Sequence, residues 1–181
     1  MTSKLKTDVL ETVSGSGTIA LTNQLSGMTS ASVPSGSVVQ VVYKSNEGNT
    51  NTYFASTSAT YATIPNLSTT ITPTSTSSKV ILHFHAAGFF RGSATNLQLR
   101  LLRGSTVVWE ADRFMYTESG GTWGNANITN SFVDVPSTTS EITYSLQCRV
   151  AGGTNGGFVI GDYVSSAAAT MTSMQLIEIK G

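Results

Sequence analysis

The chain has 181 residues with ten basic and ten acidic side chains, so its formal net charge is zero. No long-range attraction then draws it to nucleic acid or to an anionic membrane surface. Only 11% of residues are charged, while 39% are hydrophobic and gather in strand-length blocks, which excludes a disordered chain.

The opening MTSKLKTDVLETV has no apolar stretch of the kind a signal peptide needs, which predicts synthesis in a cytoplasm. Leu5, Val9, Leu10 and Val13 fall near helical spacing, so a short helix there would need a partner to be stable. The SGSG of 14–17 breaks it, TIALTNQL at 18–25 reads as a strand, and 26–37 reads as a linker. VVQVVYKS at 38–45 is a strong strand, NEGN a turn, and TYFAST at 52–57 can pair back as a hairpin. YATIPNLS at 61–68 is extended, with Pro65 marking an edge strand or a strand end. ITPTSTSS at 71–78 is polar.

From Lys79 the pattern is almost wholly β. KVILHFHAAGFF (79–90), NLQLRLLRG (96–104) and STVVWEADRF (105–114) are strands. Glu118–Asn127 reads as a ten-residue surface loop. ITNSFVDV (128–135) is a strand. EITYSLQCRV alternates cleanly, with Ile142, Tyr144, Leu146, Cys148 and Val150 on one side. AGGTNGG at 151–157 is a turn, and FVIGDYV and TMTSMQLIEIK close the chain. About eight strands with frequent turn signals predict an all-β, antiparallel β-sandwich or jelly roll. No stretch approaches the ~18 apolar residues of a membrane span.

Four pieces of sequence carry a resemblance: LSTTITPTSTSSKVILHF, LQLRLLRGSTVV, FVDVPSTTSEITYSLQCRVAGG and the terminal TMTSMQLIEIK. VPSGSVVQVVY precedes them, and together they cover roughly residues 33–181. In their order and spacing they resemble the small jelly-roll domains of tailed-bacteriophage structural proteins. The resemblance implies a sandwich similar to complement-type and tumour-necrosis-factor-like heads, assembly as a homotrimer, and a place on the outside of a virion. A virion component made in a host cytoplasm and released by lysis also accounts for a β-rich chain without an export signal. The chain then divides into an N-terminal attachment segment (1–35), a β-hairpin connector (36–72) and a jelly-roll head (73–181). Leu5, Val9, Leu10 and Val13 would dock to other virion proteins. Apolar residues on both faces of VILHFHAAGFF, and Ile177 and Ile179 beside Met174 and Leu176, fit a sheet covered on both sides.

Candidate chemistry is sparse. His83 and His85 share one strand face; six such imidazoles around a three-fold axis are a transition-metal candidate, against a plain sheet-face pair. Glu110 and Asp112 also share a face, but side chains that point the same way do not flank a glycosidic bond. Ion pairs with Arg113, Arg100 or Arg103 are the expectation. Cys148, the only cysteine, is expected as a buried apolar residue. Tyr116, Trp123, Asn125 and Asn127, in or beside the 118–127 loop, form a candidate sugar-binding surface, because aromatic faces stack on pyranose rings and amides read hydroxyls. The expected protein is not an enzyme and needs no cofactor. It is a tail-associated fibre or adhesin that meets a host-surface glycan, or a capsid decoration or head fibre, or a free-standing lectin-like module.

Overall fold

The computed structural model describes residues 33–45, 54–118, 122–152, 154–160 and 172–181. For 54–55, 88–89, 91, 122–126, 154–156 and 158–160 it describes the backbone alone. In chain order the strands are β1 (Val38–Ser45), β2 (Phe54–Ser56), β3 (Ala62–Ile71), β4 (Lys79–Ser93), β5 (Thr95–Arg103), β6 (Thr106–Thr117), β7 (Thr122–Asp134), β8 (Ile142–Ala151), β9 (Thr154–Ile160) and β10 (Thr172–Ile179). One sheet runs β1-β10-β4-β9-β2 with β7 paired to the other side of β4, and the second runs β3-β8-β5-β6. All pairings are antiparallel. With β2 and β9 set aside, eight strands form a β1-β10-β4-β7 sheet and a β3-β8-β5-β6 sheet, and the chain passes from one sheet to the other at every step except the β5–β6 hairpin. That wrapping is a jelly roll.

Period-two alternation builds the core. β8 sends Tyr144, Leu146, Cys148 and Val150 inward. β4 sends Val80, Leu82, Phe84 and Ala86, and β10 sends Met174 and Leu176. Leu97, Leu99 and Leu101 of β5 and Ile64, Leu67 and Ile71 of β3 close the layer. Each fully buried Leu or Ile contributes roughly 1.5–3 kcal/mol relative to exposure. Pro65 lies where the sequence led one to look. It sits on β3, an edge of the four-stranded sheet, inside the register break between Thr63 and Ser68. No ladder hydrogen bond is lost there.

Two expectations differ from the structure. Residues 38–57 do not form a hairpin: β1 pairs with β10, and β2 pairs with β9. A three-residue strand cannot satisfy the backbone of an eight-residue one, and β10 supplies seven partners. The 36–72 stretch is therefore no separate connector, since β1 and β3 belong to the two sheets of the sandwich. Likewise 118–127 is not one loop, because β7 begins at Thr122. Gly124, Asn125 and Asn127 are turn formers by local preference. β4, however, runs on to Ser93, and its backbone is paired through Gly92↔Thr122.

The start and end of the sandwich are tied together. Gly36 N–H donates to the Lys180 carbonyl (2.8 Å) and Lys180 N–H to that of Ser37 (2.9 Å). Below them lies Glu178, an inward carboxylate with no exposed surface. It accepts from Ser78 Oγ (2.6 Å), Thr74 N (2.7 Å), Thr74 Oγ1 (2.8 Å) and Gln40 Nε2 (2.6 Å). The Ser/Thr run before β4 is thus the cradle of a buried charge. Burial alone would raise the Glu178 pKa. The donors from Ser78, Gln40 and Thr74 outweigh it and hold the value below the usual carboxylate range.

Candidate functional site

The sandwich presents two outward faces, and the candidate residues divide between them. On the four-stranded sheet the outward side chains form a polar lattice. Tyr61 Oη donates to Glu110 Oε1 (2.6 Å). The guanidinium carbons of Arg100 and Arg149 lie 4.0 and 4.6 Å from the centre of the Tyr61 ring. Arg100 Nε donates to Gln147 Oε1 (2.8 Å), and Gln147 Nε2 to Thr63 Oγ1 (3.1 Å). Arg149 donates to Gln98, which donates to Asp112. Burial, then the hydrogen bond and charge of Glu110, push the Tyr61 phenol up to about 12, against the opposing pull of Arg149 and Arg100. It stays a donor at neutral pH.

The ion pairs expected for Glu110 and Asp112 are replaced by these partners. Glu110 binds Tyr61, and Asp112 binds Gln98. Arg103 instead pairs with Asp134 (2.9 Å). Asp134 also accepts from the buried Tyr144 Oη (2.6 Å), so one carboxylate on β7 joins β5 and β8 across the sandwich. Arg113 lies against Tyr116, 5.8 Å from its ring centre.

Cys148 is fully buried on the inner face of β8. Burial pushes its thiol up to about 12, so no thiolate nucleophile forms near neutrality.

The outward face of the other sheet can be read in rows across β1, β10, β4 and β7. The first full row is Val41, Ile177, Ile81 and Val133. The next is Tyr43, Gln175, His83 and Ser131, and beyond it Ser45, Ser173, His85 and Thr129. On the other side Val38 pairs with Ile179, which pairs with Lys79. The face thus grades from apolar to polar along the strands, with Lys79 as its one formal charge among these positions. Val38, Val41, Tyr43, Val133 and Val135 are each more than half exposed. They are five of the seven large hydrophobic side chains exposed among the described residues.

His83 and His85 lie on this face, as their i,i+2 spacing required. Nδ1 of His83 pairs with Ser131 Oγ, and Nδ1 of His85 with Thr129 Oγ1 (2.9 Å). Among the described residues no three His, Cys, Asp or Glu side chains gather as metal ligands.

The sugar-surface candidates are not brought together on one sheet. Tyr116 is exposed on β6, opposite Asn96 in the four-stranded sheet. Asn127 is exposed on β7, opposite Ala87, with Trp123 opposite Arg91 and Asn125 opposite Phe89 in the larger sheet. Leu5, Val9, Leu10 and Val13 lie outside the described residues. The two-faced apolar pattern of β4 and β10 was visible in the sequence. The contributions of Val38, Val41 and Tyr43 were not, because only the β1–β10 register shows which residues of VVQVVY face outward.

No protein-family model matches the chain, and no curated protein matches it. Among solved structures it is similar to a chain of infectious bursal disease virus, Gt strain, at 14% identity and a TM-score of 0.39, covering 81% of this chain and 39% of that one. A mutant VP2 protein of the same virus, from derived T=1 particles, aligns at 14% identity and a TM-score of 0.37, covering 90% and 42%. The VP2 subviral particle aligns at 12% identity and a TM-score of 0.35, covering 77% and 39%. This chain spans about two fifths of those chains. Similarities of this size carry no argument about function.

Proposed function

We propose that this chain is a structural component of a virion that acts by contact and assembly, not by catalysis. The reading is a homotrimeric, tail-associated fibre or adhesin of a tailed bacteriophage. It is made in the host cytoplasm and released with the particle. The N-terminal segment, with Leu5, Val9, Leu10 and Val13, docks to other virion proteins, and the jelly roll faces outward toward a host-surface glycan.

The observation that carries the assembly part is the apolar end of the outward face of β1, β10, β4 and β7, where Val41, Ile177, Ile81 and Val133 form a row with Val38 and Ile179 beside it. A monomeric antiparallel sheet ordinarily turns polar side chains to water, and a contiguous apolar face marks an interaction surface. The virion part is supported by the sequence resemblance of residues 33–181 and by a jelly-roll strand order of the kind that resemblance implies. The non-catalytic part is supported by where the reactive side chains are. Cys148 and Tyr144 are buried, and Glu110 and Asp112 are occupied by Tyr61 and Gln98.

Two measurements test this reading. Light scattering over a range of concentrations should return the mass of three chains, and a persistent monomer would remove the trimer. A glycan array probed with the purified protein should show binding that weakens in Trp123→Ala and Tyr116→Ala. Binding equal to wild type in both variants would move any receptor site elsewhere. The absence of all glycan binding would leave the particle-bound, non-adhesive form of the proposal.

A further inference from the structure

We propose that the outward face of β1, β10, β4 and β7 is the surface on which copies of this chain meet, with three such faces closing around a common axis. The stoichiometry rests on the trimeric reading above; the choice of surface does not.

The two outward faces of one sandwich provide an internal control. The four-stranded sheet carries Gln98, Arg100, Glu110 and Gln147 on its outward side, bonded to one another or to neighbouring side chains, with Gln98 buried beneath its partners. The larger sheet offers a row of Val41, Ile177, Ile81 and Val133 at the equivalent outward positions. Both faces belong to one chain in one solvent, so composition cannot explain the difference. What each face meets can.

The partner follows from size, charge and the distribution of exposure. Four strands ~4.8 Å apart span ~19 Å, and outward residues repeat every ~6.8 Å, so the face measures on the order of 500 Å² in projection. Side-chain relief raises the accessible area toward the ~800 Å² per partner of a standard interface. Among the described side chains of these rows Lys79 is the only formal charge, so they offer little ionic complement to a charged partner. A copy of itself needs none.

Packed sheets stand ~10 Å apart, so each lies ~5 Å from the midplane of a contact. Three flat faces ~19 Å wide that meet edge to edge enclose a triangular prism, and each face then lies ~5.5 Å from the axis. The width of this face therefore suits three copies. Exposure follows the same geometry. The two outer strands carry the most exposed apolar side chains, Val41 and Tyr43 on β1 and Val133 on β7, whereas Ile177 and Ile81 between them are half-buried. In a three-fold ring β1 of one copy meets β7 of the next at each corner. Such a contact joins unlike surfaces and closes after three copies.

The test places cysteines at the corner. Within one chain Val41 and Val133 are three strand spacings apart, ~14 Å, too far for a disulfide, which needs Cα atoms within ~7 Å. The Val41→Cys/Val133→Cys double variant should therefore give covalent dimers and trimers under mild oxidation, while either single variant gives monomers on a denaturing gel. Val41→Glu and Val133→Glu should each lower the native mass from three chains to one, and Thr143→Glu on the opposite sheet should leave it at three. Wild-type protein that remains a monomer would overturn both this inference and the trimeric reading. Wild-type trimers that survive Val41→Glu and Val133→Glu would overturn the choice of face alone. So would covalent dimers from a single-cysteine variant, which report a two-fold contact. Wild-type trimers with the expected cross-links but no attachment to particles or glycans would retain this inference and remove the virion reading.

Discussion

The two sheets share one interior and differ in what they turn outward. Inside, both follow the same alternation of Leu, Ile, Val and aromatic residues. Outside, the four-stranded sheet ties its long polar side chains to one another, centred on Tyr61 between Arg100, Arg149 and Glu110. The larger sheet leaves its outward positions short and apolar near Val41 and polar toward Ser45. Burial of the inner face determines the fold, and the outer face is then free to specialise. One outer face is satisfied within the chain, and the other is left unsatisfied by it.

The largest effect should come from breaking what both sheets share. Asp134 accepts from Tyr144 and pairs with Arg103, so Asp134→Ala strands a buried phenol and a half-buried guanidinium. Losing one partner of such a group costs about 3 kcal/mol, or roughly 6–12 °C of melting temperature in a chain of this size. A loss below about 1 kcal/mol would show that the sheets do not depend on this lock.

Next comes acid. Because the folded pKa of Glu178 is depressed, its contribution is complete above the unfolded carboxylate value of about 4.3 and is lost as pH falls through the lower folded value. Wild-type stability should therefore fall below about pH 4. Glu178→Gln should be less stable than wild type at pH 7, and the gap should narrow on acidification. A constant gap from pH 7 to pH 3 would remove the buried carboxylate as its cause.

Much of the fold was legible because its inward face is a strict period-two pattern. β8 and β10 alternate without exception from Ile142 to Val150 and from Thr172 to Ile179, and the strand at 38–45 has the bounds its sequence predicts. What local pattern could not provide was partnership. VVQVVY carries valines on both sides, so only its pairing with the distant β10 assigns Val41 outward. TWGNAN reads as a loop by its own preferences and is a strand because β4 needs a partner there. The i,i+2 spacing of His83 and His85 placed them on one face correctly. Neither that spacing nor the carboxylate pattern of Glu110 and Asp112 could identify Ser131, Thr129, Tyr61 and Gln98 as their partners, because these come from other strands.

A smaller effect tests the polar lattice. Tyr61→Phe keeps the ring under the two guanidinium groups and removes only the hydrogen bond to Glu110, so it should cost about 0.5–1.5 kcal/mol. A neutral result would mean that water replaces the phenol at Glu110 without loss and that the lattice stabilises this face little.

The smallest effect is the most discriminating between the two faces. Val133→Thr and Thr143→Val are reciprocal swaps of similar volume at exposed outward positions, one on each sheet. If the molecule were a monomer with two equivalent solvent faces, both would fall within about 0.5 kcal/mol of wild type, and neither would depend on protein concentration. If the larger sheet is covered by a second copy, Val133→Thr places a hydroxyl in an apolar corner while Thr143→Val changes a solvated position. Denaturation midpoints at low and high protein concentration separate the cases. Val133→Thr should lose the concentration dependence that association imposes, and Thr143→Val should retain it. Equal behaviour of the two variants would mean that the asymmetry of the faces has no consequence for assembly.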